Sequence, residues 1–122
     1  MKTVLVVDSD LGFLAFVSKS QTRAGYVALP ATTSQTALPL LEELQIPIVD
    51  VVLVNLALRS TTGLITTLKK KNRFLQVIAI EDPDLSATID IPVDARLSRL
   101  SPAGLENEEH WLTTVRQVLG DT

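Results

Sequence analysis

Three stretches of this chain are mostly apolar with little alternation: TVLVV at residues 3–7, VVLV at 51–54 and LQVIAI at 75–80. A strand with one wet face alternates apolar and polar residues, whereas a strand covered on both faces reads as a continuous β-branched run. Longer stretches of helical spacing lie between these runs. Leu11 to Ala24 places Phe13, Phe16, Val17 and Ala24 on one face, and Gly25 supplies a stop. Thr36 to Leu44 predicts a second helix, with Pro39 forcing a late start or a kink. Thr62 to Lys71 predicts a third, with Leu64, Ile65 and Leu68 inward, and a last helix carries Trp111, Leu112, Val115, Val118 and Leu119.

Tyr26 to Leu29 and Ala95 to Ser98 read as shorter strands, and the middle run extends from Asp50 to Val54. The stretch EDPDLSATIDIPVD holds Pro83 and Pro92 among residues that compete with helical hydrogen bonding, so a fourth helix there is expected to be short or irregular. Strands alternating with helices predict a parallel sheet covered on both faces, joined by right-handed crossovers. A chain of 122 residues predicts one domain over residues 1–122. With aromatics at only 4%, its core has to be built from Val, Leu, Ile and Ala.

The absence of cysteine excludes disulfides and thiolate metal sites. The start, MKTVLVVDSD, turns acidic too early for a signal peptide, and no apolar run reaches the roughly 20 residues that span a bilayer. Net charge of −3 and a pI near 5.0 give no support to a nucleic-acid partner. The expected compartment is the cytoplasm, with no membrane association.

In open parallel sheets the functional crevice lies outside the carboxyl ends of the strands. That rule gathers Asp8, Ser9, Asp10, Asn55, Glu81 and Ser98 at one edge, because each follows an apolar run. Asn55 is the conspicuous member: an amide where the third strand stops, with no apolar reason to be there.

Over essentially its whole length the chain resembles the CheY-like receiver domain of two-component response regulators. VLVVDSD matches the family's first strand and acidic pair, and the interval from Asp8 to Ala24-Gly25-Tyr26 has the family's length. Gly63 follows Asn55 as the family's glycine follows its phosphorylated aspartate. The resemblance implies an α/β, flavodoxin-like (βα)5 doubly wound sheet in strand order 2-1-3-4-5. It also implies a place in two-component, phosphorelay signal transduction.

The same alignment puts altered residues at the working positions. Asn55 stands where the phosphoacceptor aspartate belongs, and an amide is no nucleophile for an acyl phosphate. Asp8 remains of the acidic pocket, but Ser9 replaces its partner and Asp10 comes one residue late, so the Mg2+ site is expected to be lost. Glu81 falls on the switch hydroxyl, where a carboxylate repels a phosphoryl dianion. Ser98-Arg99 falls on the lysine-proline pair.

The residues themselves allow plainer roles. Asn55 can hydrogen-bond the loop backbone beside Asp8, and Asp8 and Asp10 can cap the first helix. Arg99 either stands in solvent, the expected place, or pairs with Glu81 or Asp8. Lys69, Lys70, Lys71 and Arg73 read as a solvated helix end, and His110 as an exposed residue in a polar turn. Trp111 is most simply core, with an interface role if partly exposed.

The expectation is therefore a pseudo-receiver: not an enzyme, without cofactor, binding a protein partner or cognate signalling domain independently of phosphorylation. A homodimer through the fourth and fifth helices is a candidate contact. Two alternatives stand beside it. One is a receiver phosphorylated atypically at Asp8 or Asp10. The other is a small-ligand α/β domain, for which Gly12 is the one glycine in the first loop.

Overall fold

The computed structural model describes residues 2–82, 91–99 and 108–120. Five parallel strands form one sheet: β1 (Thr3–Val7), β2 (Val27–Ala31), β3 (Val51–Val54), β4 (Gln76–Glu81) and β5 (Ala95–Ser98). Their spatial order is β2-β1-β3-β4-β5, which is the doubly wound order expected of a flavodoxin-like fold. The described helices are α1 (Leu11–Arg23), α2 (Ser34–Glu43), α3 (Thr61–Lys71) and α4 (Glu108–Leu119), the last being the helix that carries Trp111. The short or irregular helix expected between β4 and β5 falls on residues 83–90, outside the described residues; residues 91–94 carry no helix.

Strand pleating sorts the side chains into two cores. Leu5, Val7, Val52, Val54, Val77 and Ala79 face α2 and α3, packing on Ala37, Leu41, Leu64, Ile65 and Leu68. Val4, Val6, Val51, Leu53, Ile78 and Ile80 face the other way, onto Phe13, Leu14 and Val17 of α1 and Trp111 and Val115 of α4. Both faces of the central strands are therefore dry, and this is why their sequences do not alternate. Register fixes the carboxyl edge: Val7 lies beside Val54, and Glu81 beside Ser98.

Local signals explain the element ends. Asp10 starts α1 by accepting the Phe13 N–H at 3.0 Å. Gly25, at φ +95°, closes it in a Schellman turn, with Gly25 N–H on Thr22 C=O and Tyr26 N–H on Gln21 C=O. Pro39 neither delays nor ends α2, which begins at Ser34 under a Thr33 cap. Thr33 satisfies the first turn, and the carbonyl that Pro39 leaves unbonded, that of exposed Gln35, faces water. Pro30 lies in β2, an outer strand of the sheet, where a missing N–H is tolerated.

Candidate functional site at the carboxyl edge

β1 and β3 end side by side and deliver Asp8 and Asn55 to the same edge, with Asn55 N–H bonded to Val7 C=O at 3.0 Å. Both are buried, Asp8 at 0% and Asn55 at 1% exposure. Asp8 Oδ1 accepts the Asp10 N–H at 3.0 Å, so Asp8 orders the loop that leads into α1 while Asp10 caps the helix itself. Asn55 Oδ1 accepts the Ala57 N–H at 3.0 Å and turns the chain away from the strand. Asn55 Nδ2 and Asp8 Oδ2 are both buried and make no protein hydrogen bond among the described residues.

β5 supplies the cation. Arg99, one residue past the strand, is held by its own N–H on Glu81 C=O at 2.9 Å. Its guanidinium forks between two carboxylates: Nη1 to Asp8 Oδ1 at 2.6 Å and Nη2 to Asp82 Oδ2 at 2.7 Å. All three side chains are nearly dry, at 11%, 0% and 3% exposure for Arg99, Asp8 and Asp82. Short charge-assisted bonds in a dry setting are the strong kind. The sequence expectation of a solvent-facing Arg99 is thus corrected. It forms a buried pair with Asp8, one of the two partners considered for it, and its second carboxylate is Asp82 rather than Glu81.

Asp82 is the site residue that the sequence pattern does not single out. It lies just beyond the β4 run, at the start of a stretch with no regular periodicity, and its one signal is position at the carboxyl edge. Glu81 itself is exposed, and Ser98 beside it is half-buried. Ser9 is exposed between the two aspartates.

Burial pushes the Asp8 carboxyl above the usual carboxylate range. The Asp10 N–H and the Arg99 charge pull it back, while Asp10 and Asp82 add to the rise. Most oxygens that could face a divalent cation at this edge are engaged elsewhere. Asp8 Oδ1 is already on a guanidinium, Asp10 is spent on the helix cap, Ser9 offers a neutral hydroxyl, and Asn55 Oδ1 is bonded to backbone. Among the described residues no group of three or more His, Cys, Asp or Glu side chains could hold a metal ion.

Away from this edge, the core reading of Trp111 holds while its conditional interface role falls away, and the placing of His110 changes. Trp111 is completely buried, its ring 5.0 Å from Phe13 at 69° in an edge-on contact, so it is core and not an exposed anchor for self-association. His110 is exposed as expected, but on α4 rather than in a turn. Gly63 lies in the first turn of α3 with open space where a Cβ would stand. Among the described residues no helix is long and apolar enough to cross a membrane.

No family model and no curated protein sequence matches this chain. Solved structures do. A response regulator receiver protein from Burkholderia phymatum is 20% identical, with 100% of this chain and 98% of that chain covered at a TM-score of 0.72. The N-terminal domain of a response regulator/sensory box/GGDEF three-domain protein from Carboxydothermus hydrogenoformans is 14% identical, over 98% of this chain and 94% of that chain, with a TM-score of 0.74. The chemotaxis response regulator CheY4 of Vibrio cholerae is 20% identical, over 97% of this chain and 98% of that chain, with a TM-score of 0.69. Together with the strand order and the gathering of Asp8, Asn55 and Arg99 at one edge, these matches give the chain the fold of the response regulator receiver domains.

Proposed function

We propose that this domain is a signalling receiver that does not accept phosphate and works as a protein-interaction module. The observation that carries the reading is the Arg99 guanidinium bonded to Asp8 and Asp82 next to an amide, Asn55, whose oxygen is engaged by the loop backbone. A phosphoryl acceptor needs a free carboxylate oxygen and a cation that leaves room for the incoming group. Here the buried carboxylate and the cation neutralise each other, and Asn55 contributes no nucleophile. Mg2+ finds few free anionic oxygens, since Asp8 and Asp82 are tied to Arg99 and Asp10 caps α1.

Without a phosphoryl group there is no differential interaction to bias two conformations. The domain then holds one shape and presents it to a protein or cognate signalling domain. Incubation with a small-molecule phosphodonor and Mg2+, followed by intact-mass spectrometry, tests the reading. An unchanged mass is expected. A base-labile gain of one phosphate on Asp8 or Asp10 would replace it with atypical phosphorylation.

A further inference from the structure

The end of the sheet opposite Asp8 and Asn55 carries a second constellation. Four of the chain's eleven lysines and arginines fall within residues 69–73, in a chain of net charge −3. Lys69, Lys70, Lys71 and Arg73 are all exposed. The helix dipole accounts for cations in the last turn of α3, but not for the bare aromatic ring just beyond them. Phe74 stands 70% exposed, with the Arg73 guanidinium 4.9 Å from its ring centroid.

The backbone that carries the ring is held in place. Asn72 Nδ2 donates to Val49 C=O at 3.0 Å and Asn72 Oδ1 accepts the Phe74 N–H at 3.0 Å, so the α3–β4 turn is tied to the body of the fold. Beside Phe74 opens a cavity of about 300 Å³, walled by Lys2, Asp50, Asn72, Val118 and Leu119 among others. Lys2 Nζ closes one side by donating to Leu119 C=O at 3.1 Å.

We propose that this end docks an acidic peptide segment of a partner protein. One apolar side chain of the segment fills the cavity against Phe74, and its carboxylates pair with Lys69, Lys70, Lys71 and Arg73. Cations placed around an exposed aromatic give the rim and the anchor of a peptide site, at reduced ordering cost because the turn that carries the ring is already tied down. The patch is one turn long, too short for the roughly 6–10 phosphate contacts of a backbone-tracking nucleic-acid surface. This inference rests on the reading of the domain as an interaction module, but not on the carboxyl edge being unable to take phosphate.

A fluorescein-labelled, glutamate-rich peptide with a central leucine serves as the probe, followed by anisotropy on the full chain. Saturable binding that weakens with salt is expected. The pair Lys70→Glu with Arg73→Glu should weaken it about tenfold or more, and Phe74→Ser by roughly threefold or more. All three side chains are exposed, so the variants should keep the wild-type urea midpoint. Absence of saturable binding, equal affinity for the charge-reversed variant, or tighter binding of a single-stranded oligonucleotide would each overturn the proposal. Light scattering that rises with concentration and is abolished by the same charge reversal would also overturn it, by naming a second copy of the chain as the occupant. None of these results bears on the phosphodonor experiment, so the two readings fail separately.

Discussion

Arg99 holds two buried carboxylates with one planar fork, and a lysine cannot do the same. An ammonium is a point charge that would sit on Asp8 or on Asp82, while the guanidinium reaches both at 2.6 and 2.7 Å. Removing one partner of a buried ion pair leaves the other uncompensated, at a cost of about 3–5 kcal/mol. Arg99→Ala is therefore expected to lose about that much stability in urea unfolding, and Arg99→Lys roughly half of it. Equal midpoints for Arg99→Ala and wild type would show that the pair contributes nothing net. Asp8 gives a second residue-scale prediction, with a definite sign. Its folded-state pKa is raised, chiefly by burial, so the folded protein binds the proton more readily than the unfolded chain. Asp8's contribution to stability is then fully present below the ordinary value of 3.8 and declines as pH rises from there through the raised value. Asp8→Asn removes that titration. The stability difference, wild type minus variant, should fall across this window and then level off. A difference that grows with pH would mean that Arg99, not burial, sets the carboxyl.

Helix α2 ends in the same Schellman pattern as α1, but without the glycine. Gln45 N–H bonds Glu42 C=O at 3.0 Å and Ile46 N–H bonds Leu41 C=O at 2.9 Å, with Gln45 itself at φ +56°. A left-handed residue with a Cβ is strained where glycine is not. Gln45→Gly should raise stability by about 0.5–1 kcal/mol, and an unchanged or lower melting temperature would refute the assignment. Trp111 on α4 allows a sharper pair. It is fully buried against Phe13, while its Nε1 makes no hydrogen bond among the described residues. Trp111→Ala should cost about 3–5 kcal/mol, whereas Trp111→Phe keeps a ring and sheds the unpaired donor, for about 1–2 kcal/mol. At this scale the sequence was most readable in the strands. Thr3–Val7 and Ala95–Ser98 agree at both ends, and β3 and β4 differ by a residue. In β1 and β3, dryness on both faces leaves an unbroken apolar run; Ala95–Ser98, with Arg96 exposed and only Leu97 buried, has no such run. Proline misled at α2: Pro39 sits inside the helix without ending it, and the i−4 carbonyl it leaves unbonded belongs to exposed Gln35, where water takes the bond. Trp111 was ambiguous because an amphipathic pattern shows that one face is apolar, not what covers it. The Arg99 pairing was hidden for a related reason: Asp8 is 91 residues away, and only the finished sheet brings the two together.

For the molecule as a whole, the parallel sheet fixes where chemistry can happen, and the residues at its carboxyl edge decide whether it does. Asn55, Glu81 and Ser98 stand at the ends of neighbouring strands on the same edge as Asp8, so whatever each contributes there meets the others at one place. The effects are coupled, and changing one position should not by itself allow phosphorylation. Asn55→Asp supplies a nucleophile, but puts a second carboxylate beside buried Asp8. Two like charges in a dry site raise one another's pKa, so the new group resists the ionised form that attack requires. Arg99 remains tied to Asp8 and Asp82, and Ser9 leaves Mg2+ short of an anionic ligand. The single variant should therefore show no added phosphate by intact mass after phosphodonor and Mg2+, and should lose about 1–3 kcal/mol of stability at neutral pH. Part of that loss should be recovered as pH falls, since the raised carboxyl is neutral there. Adding Ser9→Asp and Arg99→Lys frees a divalent site and replaces the fork by a cation that can move to the phosphoryl group, so labelling should first appear in the triple variant. Efficient labelling of Asn55→Asp alone would show that the Arg99 pair yields easily and that the wild-type edge lacks only its nucleophile.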